Sequence, residues 1–149
     1  MKQAPRPTVK KDPSRELALA AADLAADGKA LDIAILDIHE ISSVADCFVL
    51  ASGRSHIQVD AICDRIAEGV LERVGVKPLS VEGLENAQWA VLDYGSVVVH
   101  VFQESVRKLY DLERLWSLAP RWKHGRGLTA PLQRTKVAAG DEPRRTARV

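Results

Sequence analysis

Residues 87–102 read AQWAVLDYGSVVVHVF, two runs rich in valine and aromatic residues with Tyr94-Gly95 between them. Runs of this kind, broken by a glycine-containing dipeptide, predict an antiparallel hairpin. With Tyr94-Gly95 as a two-residue turn, Asp93 opposes Ser96, Val91 opposes Val98 and Trp89 opposes His100. Side chains alternate along a strand, so one face carries Trp89, Val91, Asp93, Ser96, Val98 and His100. The other carries Ala90, Leu92, Val97, Val99 and Val101, with Gln88 as its polar member, and suits a sheet pressed against helices. The Trp89 face is therefore expected to be the outer one. A face mixing tryptophan, histidine and aspartate is too polar for a sealed core and too aromatic for ordinary surface, so it is expected to bind a partner. In the competing arrangement Trp89 and His100 tuck beneath a terminal segment. Tyrosine is also a poor residue for a turn position with φ > 0, and a longer loop would shift the register by one and exchange the faces.

Outward from the hairpin, helix and strand signals alternate. Ser14 after Pro13 is a candidate N-cap for a helix whose apolar positions Leu17, Ala20, Ala21 and Leu24 recur until Gly28. Leu31–Ile38 and Asp46–Ser52 read as strands separated by the polar stretch His39–Ser43. Ser55 with Gln58 three residues on forms a capping box, and Val59, Ile62, Cys63, Ile66 and Val70 make one apolar stripe ending at Gly75. Pro78–Glu82, Ala87–Asp93 and Ser96–Phe102 follow as strands, and short helices near Glu104–Leu109 and Asp111–Leu118 close the unit before Pro120. This order predicts an α/β domain with a mixed sheet of about five strands and helices packed on it.

The 149 residues, 46% hydrophobic and 28% charged, suit one soluble globular domain with tails. Charge is segregated. Residues 1–11 carry +4 and residues 121–149 carry +6, so the 9 bases and 18 acids of residues 12–120 leave −9. A body of that sign is repelled by phosphate backbones and attracted to a basic protein surface. The expected organisation is a basic disordered tail over 1–12, a domain over 13–120 and a second basic tail over 121–149, where Pro131, Gly140 and Pro143 accompany few large apolar residues. The tails are the part suited to loose contact with RNA. Cys47 and Cys63 show no disulfide or zinc spacing, and no apolar run approaches the ~20 residues of a membrane span, so a cytoplasmic protein is expected.

An enzyme of the nucleotidyl-transfer kind needs a Gly-Ser turn at a helix start and two aspartates at i and i+2 on a following strand to hold two Mg²⁺ ions. Gly53-Arg54-Ser55 fits the first requirement, but Pro78–Glu82 has no such acidic pair. No phosphate-binding glycine loop is present, and His39, His56, His100 and His124 stand at no metal-ligand spacing. No catalytic residue, metal or cofactor is therefore expected. Asp37, Asp46 and Asp93 read as strand-end and turn residues.

Ala45–Gln58 (ADCFVLASGRSHIQ), Glu82-Gly83, Trp89, Leu92–Phe102 (LDYGSVVVHVF) and Tyr110–Trp116 (YDLERLW) together resemble the Iojap or ribosomal silencing factor S family over residues 14–120. The resemblance implies a nucleotidyltransferase-like α/β topology that has lost catalysis. It also implies binding to the fourteenth large-subunit ribosomal protein, so that the small subunit cannot join and translation is damped when nutrients are scarce, with a homodimer forming when the protein is free. Carried onto this chain, Trp89, Asp93, Tyr94 and His100 are the expected docking residues, with Glu104 at the edge. Cys47 stands where the family often has tyrosine. The alternatives from other classes are a nucleotidyltransferase-like enzyme and an RNA-binding module in ribosome biogenesis.

Overall fold

In the computed structural model, which describes residues 13–124 and 133–135, Ser55 starts the longest helix as its sequence demands. Its Oγ accepts the Gln58 N–H at 3.2 Å, and the Gln58 side chain accepts the Arg54 N–H at 2.7 Å. The helix ends at Gly75, whose N–H donates to the Val70 and Leu71 carbonyls. Its stripe of Val59, Ile62, Cys63, Ile66 and Val70 is fully buried. The elements in chain order are α1 (Pro13–Asp27), β1 (Leu31–Asp37), β2 (Cys47–Gly53), α2 (His56–Val74), β3 (Ser80–Glu82), β4 (Trp89–Asp93), β5 (Val97–Gln103), α3 (Glu104–Tyr110), α4 (Leu112–Leu115), β6 (Arg121–Lys123) and β7 (Gln133–Thr135). None of the described helices is long and apolar enough to cross a membrane.

The sheet is mixed, as expected, in the order β3-β4-β5-β2-β1-β6-β7. β2 and β5 run parallel through a crossover that includes α2, and the remaining pairs are antiparallel. Alternation along the central strands divides the core in two. Ile35, Val49, Ala51, Val97, Val99 and Val101 face α1 and α2. Leu36, Phe48, Leu50, Val98 and Phe102 face the opposite way, under Val106 of α3, Leu112 of α4 and Trp116. The molecule is thus three layers, helices on both faces of a sheet buried at its centre.

Seven strands replace the expected five, because the chain beyond residue 120 continues the sheet. Arg121–Lys123 adds to the β1 edge and Gln133–Thr135 adds to Arg121–Lys123. The boundary expected at 120 is therefore too early. Composition sees basic residues there, whereas edge pairing depends on backbone groups that any residue supplies. The His124 N–H donates to the Ile33 carbonyl at 2.9 Å, the His124 ring meets Asp23 at 2.7 Å, and the Arg15 guanidinium lies 5.4 Å over the Trp122 ring, so α1 holds this segment down. Charged Arg121 and Lys123 on a strand near the rim also discourage edge-to-edge pairing with other chains. The expected disorder of 1–12, 125–132 and 136–149 lies outside the described residues. Ser14 differs as well. It sits inside α1, which opens at Pro13, a favoured first helical residue, and its Oγ donates to Asp46 at 2.8 Å.

Gly83 joins β3 to β4 at φ +86, and a Cβ there would collide with the Trp89 carbonyl oxygen. Gly83→Ala combines a left-handed backbone with a clash against backbone, and it is expected to lower stability by roughly 2 kcal/mol. Urea denaturation checks this, and an unchanged midpoint would show that the β3–β4 connection yields freely.

Candidate docking surface

The hairpin register differs from the expected one. Asp93 pairs with Val98, Val91 with His100 and Trp89 with Phe102. The two-residue loop is Gly95-Ser96, with Gly95 at φ +87, and Tyr94 stays in the ladder, its N–H donating to the Val97 carbonyl at 2.8 Å. Glycine takes the positive φ that tyrosine resists. The pairing slides by two residues, so the faces keep the members expected for them.

The Trp89 face is nevertheless not open sheet. The Trp89 indole stacks on Phe102 with centroids 5.0 Å apart and meets the Tyr110 ring at 4.9 Å. Its Nε1–H donates to His100 Nδ1 at 3.1 Å. Phe48 packs edge-on against His100 at 4.8 Å and against Trp116 at 5.5 Å. Burial pushes the His100 imidazole down to about 4, so the ring is neutral near pH 7. An indole N–H only donates, so Nδ1 accepts and the ring proton sits on Nε2. That nitrogen and Trp116 Nε1 are buried without a hydrogen-bond partner among the described residues.

The expected site residues separate accordingly. Trp89 is half-buried and reaches the surface, and Glu104 is exposed where α3 begins. Asp93 is half-exposed, its Oδ1 accepting the Gly95 N–H at 2.8 Å, so it shapes the turn. His100, 7% exposed, is covered by the Phe48, Trp89 and Phe102 rings rather than by the terminal segment of the competing arrangement. Tyr94, also 7% exposed, projects into the α1–α2 side of the core, where burial, and then the nearby Cys63, push its hydroxyl up to about 12. A protein docking on the Trp89 face does not meet it.

Tyr110, which was not among the expected docking residues, stands beside Trp89. Tyr110 is 58% exposed and Leu109 76%, both on α3, while Leu115 on α4 is 73% exposed. The signal was their density. Leu109, Tyr110, Leu112, Leu115, Trp116 and Leu118 are more large apolar residues than one face of two short helices can bury. An exposed tyrosine against a half-buried tryptophan, with exposed leucines on the same two short helices, has the composition of an interface centre. With Arg121 and Lys123 counted in, residues 13–124 hold 11 bases and 17 acids, so the body is net negative, and Asp60, Asp64, Glu68 and Glu72 lie along α2.

The platform is held by Arg107 of α3. Its Nη1 donates to the Asp32 carbonyl at 2.7 Å and to Ser52 Oγ at 2.9 Å, while Nε and Nη2 grip Glu113 at 3.2 and 2.8 Å. Arg121 adds a bond to Glu113 at 2.7 Å. Burial alone would raise the Glu113 carboxyl, but the hydrogen bonds and charge of Arg107, joined by Arg121, hold it below its ordinary value. β3 carries Glu82 as its single acid.

The family described as "Ribosomal silencing factor during starvation" matches residues 11–148. The ribosomal silencing factor RsfS of Bacillus subtilis is 43% identical over 105 residues, covering 70% of this chain and 86% of its own length. A crystal structure of a protein from Chromobacterium violaceum superposes with TM-score 0.65 at 35% identity, covering 68% of this chain and 84% of that one. One from Bacillus halodurans gives 0.61 at 37% identity, covering 68% and 94%. The chain is also similar, at 32% identity over 118 residues, to the chloroplastic protein Iojap of Zea mays, and the layered α/β fold, its ordered motifs and these relatives agree: the chain belongs to the ribosomal silencing factor RsfS family.

Proposed function

We propose that this protein silences ribosomes without catalysis, by docking on a basic protein of the large subunit through the surface around Trp89 and so excluding the small subunit. Trp89, Tyr110, Leu109 and Leu115 supply contact area, and Asp93 and Glu104 border it. The fourteenth large-subunit ribosomal protein is the partner in this reading, and nutrient limitation is the condition under which translation is damped. The cytoplasm is the place of action, and a second copy is the partner when the protein is free. The observation that carries the reading is a half-buried tryptophan packed against the exposed Tyr110 ring on a net-negative body. Long-range attraction to a basic surface speeds encounter, and desolvation of the aromatic centre supplies affinity.

Trp89→Ala is expected to weaken binding to isolated large subunits by ~2 kcal/mol, about thirtyfold, while the protein stays folded. Tyr110→Ala, at an exposed position, is expected to weaken it by roughly 1 kcal/mol with little change in stability. Co-sedimentation measures both, and adding small subunits tests the exclusion. Full binding by both folded variants, or subunits that join as readily with the protein present, would remove the basis for this function.

A further inference from the structure

We infer that His100 is a positioning residue for docking, its Nδ1 holding the Trp89 indole in the one orientation that presents the ring to the partner. The inference rests on the docking reading and assigns a role to a residue that never reaches the surface. Stacking on Phe102, with the ring planes 30° apart, restrains the tilt of the indole. It does not choose between the two broad wells of the Trp89 χ2 torsion, which place Nε1 on opposite sides of the ring axis. A directional bond chooses. His100 stands opposite Val91, diagonal to Trp89 across β4 and β5, and from there its Nδ1 lies 3.1 Å from Nε1. A flipped indole loses that acceptor beneath the roof of α3. Phe48 against the imidazole edge fixes the histidine in turn. The neutral form that burial enforces keeps Nδ1 free to accept.

The test compares His100→Asn with His100→Leu in the full chain, using co-sedimentation with isolated large subunits and indole ¹⁵N–¹H spectra. Asparagine places its amide oxygen near the position of Nδ1, so the bonded Trp89 indole resonance should persist and binding should stay within about threefold. Leucine removes the acceptor, and a loss of roughly tenfold is expected, with that resonance shifted and its proton exchanging faster. Leucine is the better residue for an apolar cavity, so a packing role alone predicts the reverse order of binding. Equal binding by the two variants, or stronger binding by His100→Leu, overturns the inference. If His100→Leu does not fold, His100→Gln replaces it, since its amide reaches the Nε2 position instead. Trp89→Ala serves as the separate control. Unchanged binding by that variant defeats the docking surface itself, while the indole spectra of the His100 variants still report whether the histidine holds the ring.

Discussion

Arg107→Ala is expected to cost about 3–5 kcal/mol of folding stability, as much as truncating a large core side chain. The guanidinium is buried, and each of its partners belongs to a different piece of the fold: the Asp32 carbonyl in β1, Ser52 in β2, and Glu113 in α4. Truncation leaves a half-buried carboxylate with only Arg121 beside it, and takes the Arg107 donor from the Asp32 carbonyl and from the buried Ser52 hydroxyl. Arg107→Lys retains the charge but not the planar fork, so it should recover only part of the loss. Because α3 carries Tyr110 and roofs the Trp89 cluster, Arg107→Ala should also weaken docking, beyond what a surface substitution on α3 does. Urea denaturation monitored by circular dichroism measures the stability change. A loss below 1 kcal/mol would show that α3 and α4 stay seated by apolar packing alone.

The second large effect is a pH dependence with its source in His100. In the folded chain burial lowers this imidazole to about 4, against 6.5 for the ordinary group. Phe48, Trp89 and Phe102, the rings around it, carry no charge, so burial is the cause. The unfolded chain therefore binds a proton that the folded chain refuses throughout the interval between those values, and stability falls as pH falls. The expected loss from this group is about 2 kcal/mol between pH 7 and 5 and about 3 kcal/mol by pH 4. Glu113 acts in a lower window. Its carboxyl is held below 4.5, so its contribution is present above the unfolded value and disappears as pH drops through the folded one. Denaturant titrations at pH 7, 6 and 5 on the wild type and His100→Leu isolate the histidine. The wild-type curve should slope by the stated amount relative to the variant, and parallel curves would show that His100 is protonated in the folded state.

Most local structure was legible from residue order, because its causes are local. The Ser55–Gln58 capping box, the stripe from Val59 to Val70 and the stop at Gly75 specify α2 by themselves, and alternation between Ala90 and Val101 specifies the apolar face of the hairpin that meets α1 and α2. The net-negative charge of the body and the lack of an acidic pair on Ser80–Glu82 also depend on composition and spacing alone. The ordered motifs from Ala45 to Trp116 were enough to identify the family.

Tertiary structure decided the rest, wherever a residue's role depends on what lands above or beside it. The loop settled on Gly95-Ser96 because only glycine accepts its positive φ, and the sheet grew past Pro120 because edge pairing uses backbone groups with no compositional signature. His100 sits on the predicted face but is sealed there by the Phe48, Trp89 and Phe102 rings, with Tyr110 of α3 packed over Trp89. That roof is held by Arg107 reaching residues 75 and 55 positions earlier in the chain. Periodicity reports which side of a strand a residue occupies. Whether that side is covered depends on long-range contacts, and these separate Trp89 and Tyr110 at the surface from Tyr94 and His100 beneath it.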